Sequence, residues 1–206
     1  MRDGRERYLV AMRSSLPLLF LIVAACEGSK PPPNTTSSAA PPPEPVASAS
    51  ANAPAATETA GELAVGKPAP DFSAKSHDGT DLKISSLKGK HVVVYFYPKD
   101  ETPGCTKEAC SFRDAWKDLS STGVVLIGIS TDTVDSHKKF AEHHKLPFHL
   151  VSDPDGSIAK QFGVPNNNGY LKRESFVIGP DGNVKKIYRD VDVTKHATEI
   201  LADVKS

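Results

Sequence analysis

Residues 91–119 read HVVVYFYPKDETPGCTKEACSFRDAWKDL. His91 to Tyr97 is an unbroken β-branched and aromatic run, which predicts a strand buried on both faces. Pro98, Pro103 and Gly104 then punctuate a turn, with Gly104 free to bring the backbone close to a neighbour. Beyond the turn the period changes. Ala109, Phe112, Trp116 and Leu119 recur at steps of three and four, so a helix with a core-facing stripe is expected over about 104–121. Cys105 lies on that stripe at the first turn. Cys110, rotated about 140° from it, falls on the polar flank with Lys107, Arg113, Asp114 and Lys117. Two thiols so placed can hold a metal, staple the fold or react with each other.

Downstream, Val124–Ser130 is a second buried run, and Phe148–Val151 and Ser175–Gly179 are shorter ones. The turn sequence GPDGN at 179–183 folds the last run onto Val184–Arg189 as a hairpin. Upstream, SHDG separates Asp71–Lys75 from Thr80–Ile84 in a smaller hairpin. Helical patterns fall at about 134–145, 157–162 and 195–204. Strands alternating with helices and closing in a hairpin define an α/β fold whose central sheet is covered on both faces.

The N-terminal third has another character. Arg2, Arg5, Arg7 and Arg13 precede an apolar run of ten residues, Leu16–Ala25. That length suits a signal peptide (residues 1–25), whereas a membrane-spanning helix needs about 20 apolar residues. Val23-Ala-Ala-Cys26 resembles the lipobox of bacterial lipoproteins, which implies cleavage before Cys26 and lipidation of its sulfur; translation could equally begin at Met12. Residues 26–62 are rich in Pro, Ala, Ser and Thr and poor in large apolar groups, so a disordered, semi-rigid tether is expected ahead of a folded domain at 63–206. An extracytoplasmic, lipid-anchored protein on the periplasmic side follows. Glu27 in place of an aspartate favours the outer membrane. Of the three cysteines, only Cys105 and Cys110 then remain as thiols. Acidic and basic residues balance at 25 each, which gives no electrostatic case for nucleic acid as a partner.

The spacing argues against a static staple. Positions five apart in an intact α-helix have Cα atoms about 8.6 Å apart, and a disulfide needs less than about 7 Å. Bonding requires the helix to unwind. Cys105 also has surroundings that favour a thiolate, namely the free N–H groups and positive dipole end of a helix N-terminus. Thr102, three residues before it, can bring a hydroxyl to the sulfur.

Together, Pro98-x-x-x-Thr102-x-x-Cys105, with Cys110 five residues on, resembles the active-site signature of the peroxiredoxins, in particular the Q-type or bacterioferritin-comigratory-protein subgroup. Arg173 in KRESFVIGPDG, GISTD at 128–132 and LVSDPDGSIAKQFGV at 150–164 carry the resemblance across residues 63–206. It implies a thioredoxin-like fold and a thiol-dependent peroxidase acting on hydrogen peroxide and organic hydroperoxides. In that reading Cys105 is the peroxidatic cysteine, oxidised to a sulfenic acid, and Cys110 is the resolving cysteine that forms the Cys105–Cys110 disulfide. Thr102 and Arg173 hold the peroxide, Pro98 excludes water, and Glu108 orients Arg173. A thioredoxin-like dithiol donor restores the pair. No cofactor and no metal are implied, and a monomer is expected.

Two other chemistries compete. An extracytoplasmic thiol–disulfide oxidoreductase wants Cys-x-x-Cys, a motif this chain lacks. A copper-binding thioredoxin-fold protein would use two cysteines and a distant histidine, but Arg173 would oppose the cation. His143 and His144 read as solvated surface without ligand spacing, His137 and His149 read alike, and Trp116 reads as core.

Overall fold

A computed structural model describes residues 63–206; the expected signal peptide, the expected tether and Cys26 lie outside the described residues. Five strands form the central sheet: β3 (Val92–Phe96), β4 (Val125–Ser130), β5 (His149–Ser152), β8 (Glu174–Ile178) and β9 (Val184–Tyr188). Their spatial order is β5-β4-β3-β8-β9. The β3, β4 and β5 pairings are parallel, and β8 joins antiparallel to β3 and to β9. The sheet is therefore mixed, with β3 at its centre.

Alternation along β3 builds two cores at once. Val93, Tyr95 and Tyr97 face one cluster, with Ala109, Phe112, Phe140, Phe148 and Ile200. Val92, Val94 and Phe96 face the other, with Phe72, Ile129, Phe162 and Phe176. The first cluster is roofed by α1 (Pro103–Asp114), α2 (Trp116–Ser121), α3 (Val134–His144) and α5 (His196–Lys205). The second is covered by the small hairpin β1 (Ser73–Lys75) and β2 (Asp81–Lys83), a 3-10 turn at Ile84–Leu87 and the short α4 (Ser157–Gln161). Helices lie on both faces, but the long ones all lie on one. Tyr95 and Phe112 centre that side, with ring centroids 5.1 Å apart and Phe148 edge-on to both; such pairs add about 0.5–1.5 kcal/mol each beyond their burial.

A close approach fixes this packing. Gly128 on β4 stands opposite Tyr95, and a Cβ there would lie 2.6 Å from the Tyr95 ring and 2.8 Å from Leu150. Glycine is required so that a fully buried tyrosine can lie flat over the neighbouring strand.

Three expectations change. The single helix over 104–121 is two, because Ala115 adopts φ −84°, ψ 0°, a bridge-region geometry that offsets the second segment. Trp116 then packs on Phe148 with centroids 5.9 Å apart. A further hairpin, β6 (Asn166–Asn167) and β7 (Tyr170–Leu171), turns through Asn168 and Gly169, both at positive φ. Asn-Gly at the centre is the local signal for such a turn, though the strands are only two residues long. Gly104 has no tight neighbour either: a Cβ there would meet only Arg173 Nη2 at 3.5 Å, an ordinary contact.

Candidate active site

The site forms where the central strand ends. After Tyr97 the chain crosses the sheet's carboxyl edge as the loop 98–102, and this loop is pinned from below. Asp100 is buried; its carboxylate accepts hydrogen bonds from the Tyr97 hydroxyl (2.8 Å), Ser136 Oγ (2.7 Å) and His137 Nδ1 (2.9 Å). Burial works against its charge, but His137 and the two hydroxyls outweigh it and hold the carboxyl below the usual aspartate range. The Asp100 N–H in turn donates to Asp132 Oδ2 at 2.8 Å. His137 is thus no surface residue. It is fully buried, and its Nε2 donates to the Val151 carbonyl (3.2 Å), tying α3 to β5 beneath the loop. The polar character of α3 hid that role.

Cys105 follows at the third residue of α1, after Pro103 and Gly104, and is 3% exposed. Arg173 reaches it from the adjacent strand. Phe96 pairs with Glu174 across β3 and β8, which sets Arg173, one residue earlier, beside the start of α1. Its Nη2 donates to Cys105 Sγ at 3.1 Å. Its Nη1 donates to Glu108 Oε2, one turn further along α1. Burial opposes the arginine charge, yet Glu108 and the sulfur together hold its pKa above the ordinary value. Glu108 is 1% exposed. Burial pushes its carboxyl up to about 7, even with the guanidinium beside it.

Behind this pair lies His196, the first residue of α5, whose Nε2 is 2.8 Å from Ser175 Oγ and 4.0 Å from Glu108 Oε1. Its pKa falls to about 4, through burial first and the nearby Arg173 charge second. Sequence reasoning missed His196; a lone histidine opening a C-terminal helix carries no motif.

Pro98 is half-buried at the end of β3. Thr102 directly precedes α1, but its hydroxyl donates to the Lys99 carbonyl at 2.9 Å. In this dithiol state the bond goes to the loop's own backbone, so of the expected sulfur partners Arg173 makes the contact and Thr102 stabilises the turn.

Cys110 lies on the same helix, half-buried, and both cysteines are free thiols. Its flank opens on a shallow groove of about 550 Å³ between α1 and the start of α5, lined by Lys107, Ser111, Asp114, Val193 and Thr194. On the other side, Cys110 Sγ lies 3.9 Å from His144 Nδ1. His144 is therefore not simply solvated. It and the exposed His143 both bond the carboxylate of Glu101, at 3.0 and 3.1 Å. These two bonds draw the three side chains together between the loop and α3.

A mixed five-stranded sheet with β3 at its centre, and a thiol at the N-terminal end of the helix that follows, define a thioredoxin-like protein whose chemistry is carried by sulfur. Residues 65–187 match the model of the AhpC/TSA family. Peroxiredoxin Bcp of Bacillus subtilis is 41% identical over 150 residues, covering 69% of this chain and 96% of that protein. Among solved structures, peroxidoxin BcpB of Mycobacterium tuberculosis aligns with a TM-score of 0.64 and 37% identity, over 69% of this chain and 97% of that one. The bacterioferritin comigratory protein of Xanthomonas campestris, described in connection with its alkyl peroxide reduction activity, aligns at 0.63 and 31%, over 69% and 98%. The chain belongs to the AhpC/TSA family and, within it, to the peroxiredoxins of the Bcp/Q type: it is a thiol-dependent peroxidase.

Proposed function

We propose that the chain reduces hydrogen peroxide and organic hydroperoxides through Cys105 and Cys110 in turn. The observation that carries this is the Arg173 hydrogen bond to Cys105 Sγ at the start of a helix that also holds Cys110. The Cys105 thiolate attacks one peroxide oxygen. The O–O bond breaks, and the leaving oxygen takes a proton to depart as water or alcohol, while the sulfur becomes a sulfenic acid. Arg173, held by Glu108, is placed to donate to the oxygen on which charge develops, and Pro98 and Thr102 shape the approach. The first turns of α1 then unwind, Cys110 displaces hydroxide from the sulfenic sulfur, and the Cys105–Cys110 disulfide forms.

A thioredoxin-like dithiol, entering over the groove beside Cys110, returns the pair to thiols. The alkyl peroxide activity described for the Xanthomonas relative supports the organic substrates. A domain boundary near residue 63, a cleaved signal, a lipid on Cys26 and a periplasm-facing membrane location complete the reading; they rest on sequence alone, and a monomer is part of it.

The test uses the full chain. Cys105→Ser abolishes turnover, and Cys110→Ser still reduces one equivalent of peroxide and stops at a sulfenic acid trapped by dimedone. Wild-type protein loses two thiols per peroxide without forming a covalent dimer. Full activity in Cys105→Ser overturns the assignment. An unmodified peptide spanning Ala25–Cys26 in protein from the native membrane overturns the lipid anchor.

A further inference from the structure

Glu101, His144 and Cys110 stand in line. The Glu101 carboxylate only accepts, so the 3.0 Å bond to His144 places the imidazole proton on Nε2. In the neutral ring the other nitrogen, Nδ1, then carries the lone pair, and it is the one 3.9 Å from Cys110 Sγ, within reach of an S–H donor. Acid, imidazole and thiol in this order are the arrangement that activates a cysteine nucleophile.

The imidazole is held on several sides. The Arg113 side chain on α1 donates to the His144 carbonyl at 2.9 Å, and Phe140 one turn earlier packs edge-on at 5.0 Å. Lys145 ends α3 in the left-handed conformation directly after it. Glu101 itself sits at φ 57°, a backbone costing a non-glycine residue on the order of 1 kcal/mol, and among the described residues its side chain bonds the two histidines of α3.

We propose that His144, oriented by Glu101, is the general base that deprotonates Cys110 for its attack on the Cys105 sulfenic acid. The inference rests on Cys110 being the resolving thiol. The step balances. His144 Nδ1 takes the Cys110 proton, the thiolate forms the S–S bond as the S–O bond breaks, and the departing hydroxide recovers that proton as water. Among the described residues, the charged and titratable groups facing His144 are Glu101 from the loop, His143 from its own helix, and Arg113 and Cys110 from α1.

The experiment mixes reduced full chain with excess hydrogen peroxide, quenches it in acid over time, and follows sulfenic acid and disulfide by intact mass. His144→Gln is expected to leave the peroxide-dependent first phase unchanged and to slow disulfide formation. Loss of a positioned base is expected to slow this step by about tenfold or more at pH 7. The effect shrinks as pH rises and hydroxide takes over removal of the proton, and it is partly rescued by added imidazole. Glu101→Gln slows the same phase less, because the base remains but loses its orientation. An unchanged disulfide rate in His144→Gln at pH 7 overturns the proposal, as does a loss that is constant from pH 6 to 9 and indifferent to imidazole. Wild-type protein that forms no Cys105–Cys110 disulfide at all overturns both this step and the reading beneath it. That result is seen before any variant is made.

Discussion

Arg173→Ala separates two roles that one side chain performs. The guanidinium donates one hydrogen bond to the Cys105 sulfur at 3.1 Å and another to the buried Glu108 carboxylate. A hydrogen bond to a charged group contributes about 1.5–3 kcal/mol. If that interaction follows the negative charge from sulfur to the leaving oxygen, losing it lowers the second-order rate constant by about 10- to 150-fold. The same deletion strands a carboxylate that is 1% exposed, and breaking a buried pair costs about 3–5 kcal/mol. Part of that cost is avoidable, since Glu108 already sits at about 7. Without the cation beside it, its pKa rises further above the unfolded value. A raised carboxyl pKa gives stability that is lost as pH climbs, so Arg173→Ala is close to normal stability near pH 5 and clearly weakened at pH 8.

Stopped-flow mixing with hydrogen peroxide, read by the single tryptophan, Trp116, gives the rate constant, and urea unfolding at the two pH values gives the stability. Arg173→Ala/Glu108→Gln replaces the stranded charge with an amide. It should restore stability at pH 8 while leaving the rate low. A rate constant within twofold of wild type in Arg173→Ala would show that the sulfur contact does no chemistry. Recovery of rate in the double variant would show that stability alone was lost.

Gly128→Ala tests the packing at the centre of the sheet. Replacing a strand-interior glycine ordinarily stabilises by about 0.5–1 kcal/mol, but here the new methyl meets the Tyr95 ring at 2.6 Å. A loss of about 1–3 kcal/mol is expected, and a thermal midpoint at or above wild type refutes the close approach. His196→Gln addresses the opposite pH slope. Its folded pKa of about 4 lies below the unfolded 6.5, so His196 favours folding at neutral pH and costs stability as pH falls from 6.5 toward 4. Between pH 7 and 5 this amounts to about 2 kcal/mol. Glu108 slopes the other way over much of that range, so the wild type changes little. The variant should gain stability, relative to wild type, on going from pH 7 to pH 5. Parallel pH profiles refute the assignment.

Much of this was legible from residue order because it follows from period and composition. The runs at 92–97 and 124–129 carry no charged residue and are almost wholly β-branched, aliphatic or aromatic, which a sheet covered on both faces accommodates, and β3 and β4 lie there. Cys105, Glu108 and Arg173 could be singled out in advance, and the fold brings them into contact because β8 pairs with β3 one residue past the arginine. What stayed hidden depends on partners far along the chain. His137 looks like any histidine on a charged helix until Asp100 and Val151 are placed around it. His144 gains meaning only from Glu101 and Cys110, 43 and 34 positions away. Thr102 shows the reverse. Its spacing to Cys105 suggested a sulfur partner, but in a tight turn the nearer backbone acceptor wins.

The interruption at Ala115 limits how far the proposed unwinding would disturb the molecule. The opening bonds of α2 run to the Ala115 carbonyl, from Asp118 and Leu119, and owe nothing to carbonyls earlier in the chain. The first turns of α1 can therefore fray while Trp116 and Leu119 stay seated, as a hinged flap swings without pulling its screws. In the proposed cycle each turnover would then cost order only in the helix's first turns and leave intact the floor on which they rest.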